Sequence, residues 1–412
     1  MSKFSSIGNL AVLCAIFLSV VQCALHTSGR WIVDSSGARV KLRCVNWAGH
    51  METHIPEGLQ HQSVSTIASF IANSGFNCVR LTYSIDMALD TSQKVSDSFA
   101  AAAGLAGVSS SDMEALYQEA VSKNSFIASA TTLGVFGTVI DALSSKGIYT
   151  ILDNQVSKAS WCCSGTDGNG WWDAASGYNA DYSRYFNTQN WLKGLSAMAS
   201  FSNSHTGVVG MSIRNELRAA STQDQNNHAD WYTYVGQGAE AIHSANSNLL
   251  IMIGGISYDT DLSFIYNKNL DTFTSIPNRI VWEIHAYSWS GYGSTCSDIE
   301  SSLGNKAGYL IAEGKSYTAP LWMSEFGVGW SGGNVDGGLT SSDDSFLKCI
   351  VSYMSGNDAD WALWALQGDY YVRQGQVSFE ETFGILKKDW SGLRNSETLT
   401  LLGNMLKVSQ GP

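Results

Sequence analysis

Eight short apolar runs alternate with stretches of helical character along the chain. The runs are rich in β-branched and aromatic residues, and they cover residues 41–47, 78–83, 148–153, 208–214, 249–253, 280–285, 320–324 and 361–364. Alternation of this kind indicates parallel strands joined by helices. Eight repeats predict an α/β fold with one closed (β/α)8 barrel, a TIM barrel, carrying loop insertions.

Chain length and the lack of linker segments indicate how many domains the chain has. A chain of 412 residues is long enough for two or three domains, but a single (β/α)8 barrel also reaches this size. No Pro/Gly-rich linker, low-complexity block or repeat marks a boundary. We therefore expect one (β/α)8 domain over residues 25–412.

Residues 1–24 have the pattern of a signal peptide. Lys3 precedes the apolar run 10–21, and the small residues Cys23 and Ala24 follow it. The run is shorter than the roughly 20 apolar residues that a spanning helix needs. We expect a secreted, extracellular protein with no membrane span.

Composition excludes several classes of function. An apolar fraction of 44% excludes overall disorder. Lys and Arg total 24 against 36 Asp and Glu, and no segment concentrates basic residues, so we expect no nucleic-acid partner. We expect a monomer.

Six cysteines remain once Cys14 and Cys23 leave with the signal peptide, which allows up to three disulfides in an oxidising compartment. We expect the adjacent Cys162 and Cys163 to bridge to two different partners, because a bridge between neighbours is strained. No spacing of cysteine and histidine typical of a zinc site occurs, so no metal is expected.

Function in a barrel of this kind lies at the carboxyl ends of the strands. Two carboxylates, Glu216 and Glu325, follow different runs in polar and aromatic company. A Gly-x-Ser-x-Gly elbow and a phosphate-binding loop are both missing from the sequence. The candidate site residues at strand ends are Trp47, Arg80, Gln155, Asn215, Glu216, His285, Tyr287, Glu325 and Trp364.

Several of these residues stand in motifs of one enzyme family. The motifs are Arg214-Asn215-Glu216, His285-Ala286-Tyr287 and Ser324-Glu325-Phe326-Gly327, with Arg80 before them and Trp364 after them. In this order the chain resembles glycoside hydrolase family 5, a cellulase-like group of (β/α)8 retaining β-glycosidases. The resemblance covers residues 44–364, nearly all of the expected mature chain.

The resemblance implies a role for each residue. Glu325 would be the nucleophile and Glu216 the acid/base of a double displacement on a β-linked oligo- or polysaccharide, with no cofactor. Arg80 and Tyr287 would keep Glu325 ionised, and Asn215 would bind the sugar 2-hydroxyl. The remaining substrate contacts are expected from His285, Gln155, Trp364 and Trp47, with Trp161, Trp171 and Trp172 as further aromatic candidates.

The sequence leaves three questions open. The family usually has His where this chain has Gln155, which is the one feature that favours a non-catalytic carbohydrate-binding protein on the same barrel. The sugar could belong to a glucan, a mannan or a glycolipid. Endo or exo action depends on the loops, and we expect residues 90–124 and 331–338 to form cleft walls.

Overall fold

The computed structural model describes residues 24–266 and 270–412. The predicted signal peptide, apart from Ala24, lies outside the described residues. The described chain begins with an antiparallel hairpin of β1 (His26–Ser28) and β2 (Trp31–Val33).

The barrel consists of eight parallel strands, as the alternation of apolar runs predicted. They are β3 (Arg43–Trp47), β4 (Cys78–Ser84), β5 (Tyr149–Val156), β6 (Val208–Ser212), β7 (Leu250–Gly254), β8 (Ile280–Ala286), β9 (Leu321–Phe326) and β10 (Asp360–Leu363). β10 pairs with β9 and with β3, which closes the barrel. A second hairpin, β11 (Asp369–Arg373) with β12 (Gln376–Glu380), follows the last barrel strand.

Helices connect the strands. They are α1 (Val64–Asn73), α2 (Ile85–Leu89), α3 (Val95–Ala106), α4 (Ser110–Lys123), α5 (Thr132–Ser144), α6 (Ala180–Ser183), α7 (Thr188–Ser202), α8 (Asn227–Ala245), α9 (Cys296–Lys306), α10 (Ser341–Asn357) and α11 (Thr398–Leu401). Short 3-10 helices span Ser125–Ser129, Ser263–Ile265, Asp271–Phe273 and Gly308–Ile311. Among the described helices, none is both long and apolar enough to cross a bilayer.

Period-two alternation along each barrel strand separates the interior from the helix-facing side. On β8, Trp282 and Ile284 pack in the large core between barrel and helices. Val281 belongs to a separate apolar cluster at the amino-terminal end of the barrel. Glu283 and His285, farther along the same inward face, are bonded to Arg80 and Glu216. The barrel interior therefore changes from apolar to charged toward the carboxyl ends of the strands.

An irregularity on β9 brings Glu325 to the barrel mouth. Ile284 of β8 pairs with Met323, but His285 pairs with Glu325, so Ser324 is left over in the register. Because Met323 faces the helices, strict alternation would turn Glu325 outward as well. The extra residue of a β-bulge re-aims the side chain that follows it.

Three disulfides are present among the described residues: Cys44–Cys78, Cys162–Cys163 and Cys296–Cys349. The expectation that Cys162 and Cys163 have different partners is wrong. Cys44 and Cys78 face each other on neighbouring strands, and the third bridge joins α9 to α10. The other four cysteines are therefore paired between neighbouring strands and between neighbouring helices. Cys162 and Cys163 are left to bond each other.

Replacing both Cys296 and Cys349 by serine should lower the free energy of unfolding by about 2–4 kcal/mol. The reason is that this bridge links residues 53 positions apart and restricts the unfolded chain. Denaturant unfolding under non-reducing conditions measures the difference. Ser297→Ala, on the exposed side of the same helix, is the control, and equal midpoints for wild type and double variant would contradict the prediction.

Candidate active site

Arg80 lies fully buried on β4, just below the barrel mouth. Its guanidinium donates hydrogen bonds of 2.7–3.2 Å to Asn46, Asp153, Asn215, Glu283 and Glu325. One cation thus faces three carboxylates away from water. Burial raises the pKa of Asp153 to about 7; Arg80 opposes this shift and the other two carboxylates add to it.

Both oxygens of Glu325 have donors. Oε1 lies 2.7 Å from an Arg80 nitrogen and 3.5 Å from the Gln155 amide nitrogen, and Oε2 accepts from the Tyr287 hydroxyl at 2.9 Å. Burial would raise the pKa of Glu325, but His285, Arg80 and Tyr287 outweigh it, so the pKa lies below its ordinary value. Glu325 is therefore ionised at neutral pH.

Glu216 lies four residues beyond the end of β6 in a left-handed backbone conformation, with φ of 50°. Its N–H donates to Asp259 Oδ2 at 2.6 Å, which fixes this turn. The side chain is 15% exposed, and its Oε1 lies 3.1 Å from His285 Nδ1. Carboxylate oxygens of Glu216 and Glu325 lie within 4.8 Å of each other.

His285 lies between the two glutamates. Its Nδ1 is 3.1 Å from Glu216 and 3.7 Å from Glu325, while Nε2 is 3.9 Å from Asp259. Burial alone would lower the pKa of His285, but the surrounding carboxylates raise it to about 9. A protonated imidazole therefore balances part of the negative charge at the mouth.

A cleft of about 250 Å³ opens above these groups. Its walls combine aromatic faces with charged groups, a combination suited to sugar rings and their hydroxyls. The lining residues are Gln155, Trp161, Cys162, Cys163, Glu216, Tyr287, Trp289, Glu325, Trp364, Arg373, Glu381 and Phe383.

Most of the sequence-predicted site residues come together here. Gln155, Glu216, Tyr287, Glu325 and Trp364 line the cleft. Arg80, Asn215 and His285 lie directly behind it, each bonded to another member of the site.

Trp47 is the exception, and its prediction as a substrate contact is wrong. Its ring is fully buried, its indole donates to the Glu57 carbonyl at 2.9 Å, and it packs against Trp390 at 6.4 Å between ring centroids. Asn46 points into the barrel and bonds Arg80, so strand alternation turns Trp47 outward. Of the further aromatic candidates, Trp161 lines the cleft, whereas Trp171 and Trp172 belong to the core.

The two segments expected to form cleft walls do not contribute to the cleft. Residues 90–124 fold largely into α3 and α4, which pack on each other on the outside of the barrel. Residues 331–338 form a turn region near α10. Within the described chain, the walls come instead from the loop after β5 and from the segment after β10.

The sequence analysis missed six lining residues, among them the bridged Cys162 and Cys163, and one supporting residue. Trp289, 66% exposed, stacks on Tyr287 with ring centroids 4.7 Å apart. Phe383, Arg373 and Glu381 follow the last barrel strand, and Asp259 supports Glu216 from the loop after β7. The alternating segment 369–380 around Gly375 was a detectable hairpin signal; Asp259 has no local signal.

The Cys162–Cys163 bridge forms part of the cleft wall next to Asn215. The amide nitrogen of Asn215 lies 3.5 Å from both sulfur atoms, and its oxygen accepts from Arg80 at 2.9 Å. Sulfur is a weak acceptor, so this amide keeps a donor for a group in the cleft.

Comparison with known proteins fixes the family. The profile of the cellulases, glycosyl hydrolase family 5, matches residues 33–369. The chain belongs to glycosyl hydrolase family 5. It is thus a glycoside hydrolase, and the family resemblance predicted from the motifs is confirmed.

Individual relatives agree with this assignment. A "Glycosyl hydrolase 5 family protein" of Chamaecyparis obtusa is 36% identical over 98% of this chain and 70% of its own length. An endoglucanase of Paenibacillus polymyxa is 23% identical over 93% of this chain and 87% of its own length. The catalytic domain of the major endoglucanase of Xanthomonas campestris shares the fold with a TM-score of 0.70, at 21% identity over 93% of this chain and 99% of that one.

The family 5 protein should show a pH-dependent stability that originates at His285. Its pKa in the folded state, about 9, exceeds its ordinary value of 6.5, so the stabilisation is complete below 6.5 and is lost as the pH rises through about 9. The loss is on the order of 3 kcal/mol. Melting temperatures of wild type and His285→Gln across this range test it, and parallel curves would contradict a cationic His285.

Proposed function

We propose that this family 5 enzyme hydrolyses β-linked glucosides or glucans by double displacement, with Glu325 as nucleophile and Glu216 as acid/base. The observation that carries the proposal is the approach of the two carboxylates to within 4.8 Å. Retaining enzymes hold their carboxyl groups about 5–5.5 Å apart, whereas inverting enzymes leave about 6.5–9.5 Å for a water molecule.

In the first step Glu325 attacks the anomeric carbon. Its ionised state is maintained by Arg80 and by the Tyr287 hydroxyl, which bind different oxygens. Glu216 gives its proton to the departing glycosidic oxygen. Since His285 occupies Oε1 of Glu216, Oε2 is the oxygen left to carry that proton.

In the second step the glycosyl ester on Glu325 is hydrolysed. Ester formation removes the charge of Glu325, so Glu216 faces less negative charge and accepts a proton from water. The amide nitrogen of Asn215, with only two sulfur neighbours at 3.5 Å, is the donor for the sugar 2-hydroxyl. That bond strengthens in the transition state.

The substrate class rests on the aromatic cleft and on the relatives. Trp364 and Trp161 offer apolar faces to pyranose rings. Relatives with 23–24% identity are named endoglucanases, and an endocellulase of Pyrococcus horikoshii, with a TM-score of 0.69, was solved with cellotetraose. A β-linked glucosyl unit is therefore the first substrate to test, and a monomer is our prediction for the active form.

Secretion is part of the proposal. It rests on the apolar run at residues 10–21 and on three disulfides in the structure, which persist in oxidising compartments. A relative from Xanthomonas campestris is named a major extracellular endoglucanase.

Glu325→Ala and Glu216→Ala should both abolish most hydrolysis of aryl β-glucosides. Loss of the acid/base costs about 10²–10⁴-fold, and loss of the nucleophile removes the covalent route. Azide should rescue the two variants differently: Glu325→Ala should form the α-glucosyl azide and Glu216→Ala the β-anomer, as read by NMR. The exposed Glu114→Ala on α4 is the matched control.

Two results would contradict this mechanism. One is wild-type activity in either variant. The other is saturable oligosaccharide binding without turnover on any β-linked substrate, which would favour the non-catalytic alternative.

The full chain expressed in a secretory host should appear in the medium with an amino terminus at or next to Leu25. The signal peptide would be removed after the small residues Cys23 and Ala24. Mass spectrometry of the mature protein measures the cleavage site. Retention of the intact chain inside the cell would contradict secretion.

A further inference from the structure

We propose that the cleft is closed at the end where the non-reducing sugar lies, so that the enzyme releases single terminal glucosyl units, and that Arg373 and Glu381 bind the hydroxyls of that unit. The proposal rests on the proposed function and adds the mode of attack to it. The structural relatives compared above are named for endo action, so this property belongs to the present chain's own loops.

The position of the two glutamates orients the sugar. Its anomeric carbon must lie between Glu216 and Glu325, with the departing oxygen at Glu216. In the barrel order, β10 lies four strands from β6 in either direction, directly across the mouth. The ring therefore extends away from Glu216 toward Trp364, which follows β10, and its non-reducing end points to that side.

The closed end is a wall formed by two segments. Trp161, in the loop after β5, reaches across the mouth to β10 and to the hairpin beyond it: its ring centroid lies 6.4 Å from Trp364 and 5.6 Å from Tyr370. The Arg373 guanidinium packs on the same indole at 3.3 Å from the ring centroid. A glucan chain longer than one unit would have to displace this stack.

The wall carries two charged side chains, Arg373 and Glu381, that are held in place by hydrogen bonds. Glu381, 3% exposed, accepts from the Tyr370 hydroxyl at 2.7 Å, from Arg373 at 3.1 Å and from the Phe383 N–H at 3.0 Å. Arg373 and Glu381 both line the cleft. Sugar hydroxyls both donate and accept, so neighbouring hydroxyls can bond the carboxylate and the guanidinium together.

The size of the cleft agrees with one sugar. Its volume of about 250 Å³ is below the roughly 300–1,000 Å³ typical of pockets for drug-sized ligands. An oligosaccharide bound along several units requires an open groove. Among the residues that line the cleft, Trp289 carries the exposed aromatic ring; it stacks on Tyr287 and lies 5.6 Å from Phe383 between ring centroids, on the β8 side of the cleft.

The test uses cellotetraose labelled at its reducing end. The wild type should release glucose and labelled cellotriose as first products, whereas internal cleavage releases cellobiose or labelled glucose. With 4-nitrophenyl β-cellobioside, nitrophenol should appear only after glucose has been removed, while 4-nitrophenyl β-glucoside should release it without a lag.

Variants separate the closed end from the chemistry. Glu381→Gln should lower kcat/KM for the glucoside about 10–100-fold, the value of a hydrogen bond to a charged group. Opening the wall with Trp161→Gly and Arg373→Gly together should produce direct nitrophenol release from the cellobioside. Tyr178→Ala, an exposed aromatic residue outside the cleft, is the matched control and should keep the single-unit product pattern.

Each outcome decides one proposal. Internal cleavage of cellotetraose by the wild type, or cellobioside cleavage without a lag, would overturn the closed end and leave the glycosidase function standing. Absence of hydrolysis on every β-glucoside would overturn the proposed function. The closed end would then be judged by calorimetric binding: it predicts loss of binding when the terminal 4-hydroxyl of cellobiose is methylated, and equal binding would overturn it.

Discussion

The geometry of this active site depends on one buried cation. Arg80 extends from β4 and bonds side chains that come from β3, β5, β8, β9 and the loop after β6. Buried ion networks seldom add net stability, because removing charges from water costs about as much as their attraction returns. What Arg80 supplies is position: the carboxylates around it would repel one another without it, and the orientation of Glu325 depends on its contact with Arg80.

The mouth above Arg80 is asymmetric. Toward β8 the cleft ends at the exposed ring of Trp289, whereas toward β10 it ends at Trp161, Arg373 and the buried Glu381. The β10 side is braced by the ion pair between Arg373 and Glu381. On a common barrel, such loop differences redirect activity without altering the two glutamates at its centre.

The sequence predicted the barrel and most of the site because both follow local rules. Apolar period and strand ends give the eight strands and place Glu216, Glu325 and their neighbours in one mouth. The prediction for Trp47 was wrong because neighbouring residues at a strand end point to opposite faces of the strand. Asn46 points into the barrel and bonds Arg80, so Trp47 points outward. Arg373 and Glu381 reach the cleft only because the hairpin after β10 folds back over the barrel mouth. The Cys162–Cys163 bridge depends on the positions of the four other cysteines, which pair with each other. Neither arrangement can be predicted from a local sequence pattern.

The amino-terminal hairpin has a consequence at the far end of the barrel. Leu25 and Ile32 are buried against the apolar cluster that fills the base of the barrel, and Arg279 donates to the Leu25 carbonyl. This segment covers the amino-terminal end of the barrel. Processing that removed Leu25 would therefore expose the apolar cluster there and admit water beneath the charged layer. A fusion partner joined ahead of it would emerge from the face opposite the cleft, leaving the mouth clear.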